Sequence, residues 1–201
     1  MDTPEARAHV DFMVTLAGMD SIERHLERLQ ERRDRVLEAS REIVRLSGKA
    51  ITLMHAERRA EAGALIRQLR SRVARLKRIE KGLEYHSLQA HQEYVEAGAF
   101  YTVLGERRLP PPEELGESEV AYLLGMMDLV GELKREAIDA MRKRELDKAG
   151  ELYEFMKDIY DSTRAMRFAS SIVPDFRRKQ DTARIQIEST AGELLAFEGK
   201  R

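Results

Sequence analysis

Four carboxylates stand on two apolar segments of this chain. Gln92-Glu93-Tyr94-Val95-Glu96-Ala97 carries Glu93 and Glu96, and the run from Tyr122 to Leu133 carries Asp128 and Glu132. Glu93 and Glu96 are three apart, and Asp128 and Glu132 are four apart, so on a helix each pair lies on one face. Acids set among Leu, Val, Met and Tyr are costly to bury unless they are paired, protonated or bound to a metal. Two such pairs on neighbouring helices suggest a divalent-metal site. Mg²⁺ and Mn²⁺ prefer oxygen ligands. One or two such ions can activate water and stabilise the leaving oxygen in phosphodiester hydrolysis. The alternative is four exposed acids paired with Lys134, Arg135 or other bases, and spacing does not decide between the two.

The elements that must position these acids read as helix almost throughout. Thr3-Pro4-Glu5 is a helix start, and Gly18-Met19-Asp20 is expected to end that first helix, with Asp20 and Glu23 capping the next. The second helix is expected from about Ser21 to His55, with Ile22, Leu26, Leu29, Val36, Ile43, Leu46 and Ile51 on its apolar side. A third should cover Arg58 to Ile79, and a fourth, bearing Glu93 and Glu96, Leu83 to Leu104. A Pro-rich connection, Gly105 to Gly116 with Pro110-Pro111-Pro112, interrupts the pattern. The fifth helix, Ser118 to Arg142, bears Asp128 and Glu132. A sixth should run from Glu145 to Ala169, and a seventh from Pro174 to Gly199. No alternating strand pattern appears. The expected fold is all-α, a bundle of about seven helices in a single domain over residues 1–201.

Composition narrows the chemistry. The chain has no Cys, which removes thiolate metal sites and disulfides. No signal peptide or membrane span is read, and a cytoplasmic location is expected. No Glu is followed by His three residues later, which argues against a di-iron bundle. His-Glu-x-x-His, P-loop and dinucleotide-binding motifs are absent too. His86, seven residues before Glu93, could share its face, but a satisfied or exposed histidine is the simpler reading. Met126, Met127, Tyr94, Phe100 and Tyr101 are expected in the core or at a helix interface.

Net charge is only −1, yet residues 21–81 carry 17 Lys/Arg against 9 Asp/Glu, a surplus of +8. Arg41, Arg45 and Lys49 recur four apart, and Arg177-Arg178-Lys179 with Arg184 opens the last helix. Such stripes can hold phosphates, or they are solvated faces. With aromatics at 6% and no Trp, base stacking is limited and strandedness would matter more than sequence.

Taken together, these motifs resemble the translin family, and within it the translin-associated factor X branch. Ser40-Arg41-Glu42-Ile43 resembles the family's early Ser-Arg-Asp/Glu-Ile signature, and Gln92 to Ala97 resembles the factor X-type Gln-Glu-Tyr-Val-Glu-Ala. Tyr122-Leu123-Leu124-Gly125 with Asp128, Gly131, Glu132 and Leu133 resembles its Tyr-Leu-Leu-Gly segment. Arg177-Arg178-Lys179-Gln180-Asp181 is similar to the basic start of the last helix. The likeness covers about Arg28 to Leu195. It implies a translin-like seven-helix subunit in a hollow homo-oligomer, an octamer, that binds single-stranded RNA and DNA.

The factor X branch further implies a metal-dependent endoribonuclease. Glu93, Glu96, Asp128 and Glu132 would be its catalytic and metal-binding acids, Mg²⁺ or Mn²⁺ its ion. Arg41, Arg45, Arg177, Arg178 and Lys179 would be its nucleic-acid contacts. The rival is a non-catalytic binding oligomer of the translin type. A purely structural helical assembly is a third reading. This chain departs from the family pattern in its short connection before Tyr122, in Ala121 where an acid is common, and in lacking a basic nuclear-targeting tail. These departures fit a compact prokaryotic or archaeal member that needs no separate translin partner.

Overall fold

The computed structural model describes residues 4–198, with side chains from 18 to 197. Among these residues it contains seven α-helices and no strand: α1 (Pro4–His55), α2 (Arg59–Ile79), α3 (Leu88–Glu106), the one-turn α4 (Pro112–Leu115), α5 (Glu119–Arg142), α6 (Leu146–Thr163) and α7 (Phe176–Glu198). A 3₁₀ turn, Glu84–His86, precedes α3. None of the described helices is long and apolar enough to cross a membrane.

The all-α expectation holds, but the chain is divided differently. Gly18-Met19-Asp20 does not break the first helix; α1 runs through it for 52 residues. A mid-helix glycine costs only about 1 kcal/mol relative to Ala and does not stop a helix that is favoured on both sides. The Thr3 cap and the Gly199 stop lie outside the described residues. Val36, Ile43, Leu46 and Ile51 are buried as the apolar stripe predicts, whereas Ile22 and Leu26 are each 54% exposed. Helix α6 ends at Thr163, six residues before Ala169, where the Gln180 side chain from α7 donates to the Thr163 carbonyl at 2.7 Å and closes the helix end. Residues 164–175 are irregular, and α7 begins at Phe176 rather than at Pro174.

The Pro-rich segment, expected as a plain connection, contains the one-turn helix α4. Pro112 occupies the first turn of α4, where its missing N–H is harmless. Gly116 ends that turn at φ +67, a conformation that glycine adopts without strain. Ser118 caps α5, its hydroxyl accepting from the Ala121 N–H at 3.3 Å.

Two packing relations set up the site. Helices α1 and α2 form an antiparallel hairpin, with Arg32 donating to the Lys81 carbonyl and Arg72 pairing with Glu42. Helices α3 and α5 instead run parallel and very close. A Cβ on Gly125 would come within 2.7 Å of the Gln92 carbonyl and of Val95, so glycine here permits the approach. Helix α7 also runs parallel to α5, with Lys179 on Asp128 and Lys134 donating to Ser189 at 2.6 Å. Tyr94, Phe100, Leu124, Leu129 and Leu133 are almost wholly buried between these helices, with Leu152 and Met156 from α6. Met126 and Met127 are buried too, and Tyr101 is half-buried under the Arg59 guanidinium.

Candidate functional site

The close α3–α5 contact brings three of the four acids to one cleft of about 380 Å³, lined by Glu93, Glu96, Met127, Asp128, Arg178, Lys179, Thr182 and Gln186. Helix α3 supplies the two glutamates, α5 supplies Met127 and Asp128, and the first turns of α7 supply the rest. Each acid side chain leaves a helix whose opposite face is locked in the core, so the carboxylates are held on rigid supports.

The cleft concentrates negative charge. Burial pushes the Glu96 carboxyl up to about 9, and Asp128, Glu93 and Glu132 push it the same way. Burial, then the charge of Asp128, raises Glu93 as well. The neutralising group is Lys179, whose ammonium donates to both Asp128 oxygens. As the side chains stand, no three His, Asp or Glu groups among the described residues converge closely enough to grip a metal ion. The donor chemistry nonetheless suits a hard divalent cation, because all three cleft acids offer oxygen and a cation would take the place of the proton that burial favours on Glu96.

Glu132 does not line this cleft. It lies one helical turn beyond Asp128, and its Oε2 accepts from His55 Nε2 at 2.5 Å, at the end of α1. The other ring nitrogen, Nδ1, donates to Glu136 at 3.1 Å, and Glu136 also accepts from Lys148 at 2.7 Å. Burial alone would lower the His55 pKa, but the hydrogen bonds to Glu132 and Glu136 outweigh it and hold the ring near 9. Burial would raise Glu136, but His55 and Lys148 pull it down to about 2.

The basic residues divide. Arg178 and Lys179 line the acid cleft, and Lys179 serves first as the partner of Asp128. Arg178 pairs with Asp175 at 3.4 Å, and Arg177 is exposed beside them. Arg41 and Arg45 are exposed on α1 and do not line the cleft; Arg45 faces Glu42 at 4.0 Å. His86 sits in the 3₁₀ turn against Tyr85, away from the cleft.

Sequence reading missed the His55–Glu136 link, although Glu136 continues the four-residue spacing of Asp128 and Glu132. Thr182 and Gln186 continue the spacing of Arg178 in the same way. A second buried histidine was also missed. His91 lies between Glu80 at 2.8 Å and Glu117 at 2.9 Å. Burial opposes its charge, but Glu117 and Glu80 hold it near 9.

A parallel helix pair carrying an acid cleft, covered by the basic start of a last parallel helix, defines the class: an all-α subunit with a carboxylate site on its α3–α5 seam. The chain belongs to the translin family, whose model matches residues 31–189. It is 27% identical to an uncharacterized protein of Methanocaldococcus jannaschii over 190 residues, covering 92% of this chain and 85% of that one. It is 24% identical to Translin-associated protein X of Mus musculus, covering 73% of this chain and 66% of that one. Among solved structures it resembles AfC3PO in a complex with duplex RNA, with a TM-score of 0.85, 28% identity and coverage of 91% and 97% of the two chains. A crystal structure of AfC3PO gives a TM-score of 0.81 at 28% identity, over 91% and 98%.

Proposed function

We propose that this chain is the single-domain subunit of a homo-oligomeric, Mg²⁺- or Mn²⁺-dependent endoribonuclease that acts on single-stranded RNA and also accepts single-stranded DNA. The observation that carries this reading is the convergence of Glu93, Glu96 and Asp128 on one cleft beside Arg178 and Lys179. Burial and the neighbouring charges of Asp128, Glu93 and Glu132 raise Glu96 to about 9, and strongly perturbed acids gathered in one cleft mark a candidate functional site. The family membership and the likeness to an RNA-bound AfC3PO support nucleic acid as the ligand.

Glu93, Glu96 and Asp128 would hold the ion, with Glu132 adding its charge from one turn away. An ion held there would lower the pKa of a bound water, so that hydroxide is available to attack phosphorus, and would stabilise charge on the departing oxygen. Lys179, which donates to both Asp128 oxygens, would share Asp128 with the ion and could also meet a phosphate oxygen. Arg177 and Arg178 extend that positive rim and hold the backbone on either side. Arg41 and Arg45 would contact RNA outside the cleft. Assembly into an octamer would place the clefts inside a shared cavity.

Cleavage of an end-labelled single-stranded RNA with Mg²⁺, with EDTA, and by Glu93→Ala in Mg²⁺ tests this reading. Cleavage that requires both the metal and Glu93 is the expected result. One observation favours a second reading, the non-catalytic binding oligomer: Lys179 already engages both Asp128 oxygens and makes the acid cleft self-sufficient as an ion pair. Salt-sensitive RNA binding without metal-dependent cleavage would establish that alternative.

A further inference from the structure

We infer that His55 is a positioning residue for the acid cleft. It holds Glu132 in place from outside the cleft and sets how strongly the three cleft acids bind a divalent cation. This rests on the metal-dependent reading of the same cleft. His55 closes α1, its ring packs against Phe100 with centroids 5.0 Å apart, and its side chain is 6% exposed. Both ring nitrogens face carboxylates, Glu132 at 2.5 Å and Glu136 at 3.1 Å. Two acceptors require both nitrogens to carry hydrogen, so the ring is a fixed cation with no rotational choice.

Lys148 completes the chain at 2.7 Å from the second oxygen of Glu136. Its ammonium balances Glu136, which leaves the imidazolium charge for Glu132. The ring therefore bridges two acids four apart on α5 and fastens that face of α5 to the end of α1. Asp128 stands on the same face one turn earlier.

The consequence for the cleft follows from charge. Glu132 is one of the carboxylates whose charge pushes Glu96 up. Held by His55, it keeps a fixed place one turn beyond Asp128, with its charge still felt in the cleft. Released, it is free to turn to Arg135, which already stands 3.9 Å away, and the cleft loses the fixed negative field behind its three ligands. Groups that hydrogen-bond to the ligands of a metal typically change its affinity by about 10–100-fold when removed.

The test uses the full chain in its native assembly, stripped of metal and titrated with Mn²⁺ followed by electron paramagnetic resonance. His55→Ala should weaken Mn²⁺ binding by about 10–100-fold, and His55→Gln, whose amide can still donate to Glu132, should restore most of it. In RNA cleavage, His55→Ala should lower kcat with KM for RNA unchanged, because the basic rim on α7 is untouched. Circular dichroism and the elution volume check that the fold survives. Should His55→Ala fail to fold, Glu136→Gln gives the answer: it frees the far side of the ring and should weaken Mn²⁺ binding with the fold retained.

Unchanged Mn²⁺ affinity in folded His55→Ala would overturn the inference. So would a failure of His55→Gln to restore binding, unchanged affinity in Glu136→Gln where His55→Ala does not fold, or a rise in KM in place of a fall in kcat. A wild-type protein that binds no Mn²⁺ would overturn it as well. Wild-type protein that binds Mn²⁺ with the expected variant pattern but cuts no RNA would leave this inference standing and remove the nuclease.

Discussion

Glu96 should be a destabilising residue in the metal-free protein at neutral pH, and replacing it by Gln should make the fold stronger. Its ordinary pKa is 4.5, and burial with Asp128, Glu93 and Glu132 raises it to about 9 in the fold. Between those two values the folded state keeps a proton that the unfolded chain has released. Stability is therefore greatest below pH 4.5 and falls as pH rises toward 9. Each pH unit in that window is worth about 1.4 kcal/mol, so the loss by pH 7 is about 3 kcal/mol. Against a total stability of roughly 5–15 kcal/mol for a typical domain, that is a large fraction.

Gln has the shape of the protonated acid and no proton to lose. In EDTA, Glu96→Gln should gain about 3 kcal/mol over the wild type at pH 7 and close to nothing at pH 4.5. Urea unfolding at the two pH values, at one protein concentration because assembly contributes to stability, measures this directly. Mn²⁺ should narrow the gap at pH 7, since the ion relieves the same repulsion in the wild type alone. A difference that is the same at both pH values, or a weaker variant at pH 7, would refute the charge-crowded cleft.

His91 gives a second pH dependence. Its pKa near 9 against an ordinary 6.5 means its contribution is complete below pH 6.5 and is lost as pH rises through 9. His91→Gln should abolish that part of the decline, up to about 3 kcal/mol, in unfolding curves taken at pH 6 and pH 9.5. Gly125→Ala should destabilise by about 1–3 kcal/mol, because the new methyl meets the Gln92 carbonyl and Val95 at 2.7 Å. An unchanged melting temperature would show that α3 and α5 can separate freely. Lys179→Met should tighten Mn²⁺ binding roughly fivefold by removing a competitor worth about 1 kcal/mol. The same variant should cleave RNA more slowly, and unchanged metal affinity would show that the ammonium does not compete for Asp128.

The parts of this molecule that depend on local rules were legible before the structure. The Glu93/Glu96 and Asp128/Glu132 spacings place acids on helix faces, the prolines interrupt the helices between α3 and α5, and the fifth helix starts within a residue of Ser118. The helix ends that misled are those decided at a distance. Thr163 ends α6 because Gln180, in another helix, takes its carbonyl. Gly18 looks like a stop, but nothing in its surroundings enforces one. The site shows the same division. Spacing unites Asp128 with Glu132, yet His55 separates their roles from the far end of α1. Spacing gives Lys179 a basic run to belong to, yet the parallel packing of α7 delivers it to Asp128. Arg41 and Arg45 share a stripe with each other but no cleft with the acids.

The parallel run of α3 and α5 has a consequence for the order of folding. The α1–α2 hairpin can close locally across residues 56–58. The α3–α5 seam cannot, because two parallel neighbours need the chain to travel back the length of a helix first, through residues 107–118. That return path carries its own anchors: Leu115 beneath Gly98, the Tyr122 hydroxyl on the Pro110 carbonyl, and Glu117 on His91. Closing a long connection loses entropy before any contact offsets it. The hairpin should therefore protect its amides early in refolding, and the seam late. Half-folded chains would then present paired helices but no acid cleft, so the chemistry of the site arrives only with the last cooperative step.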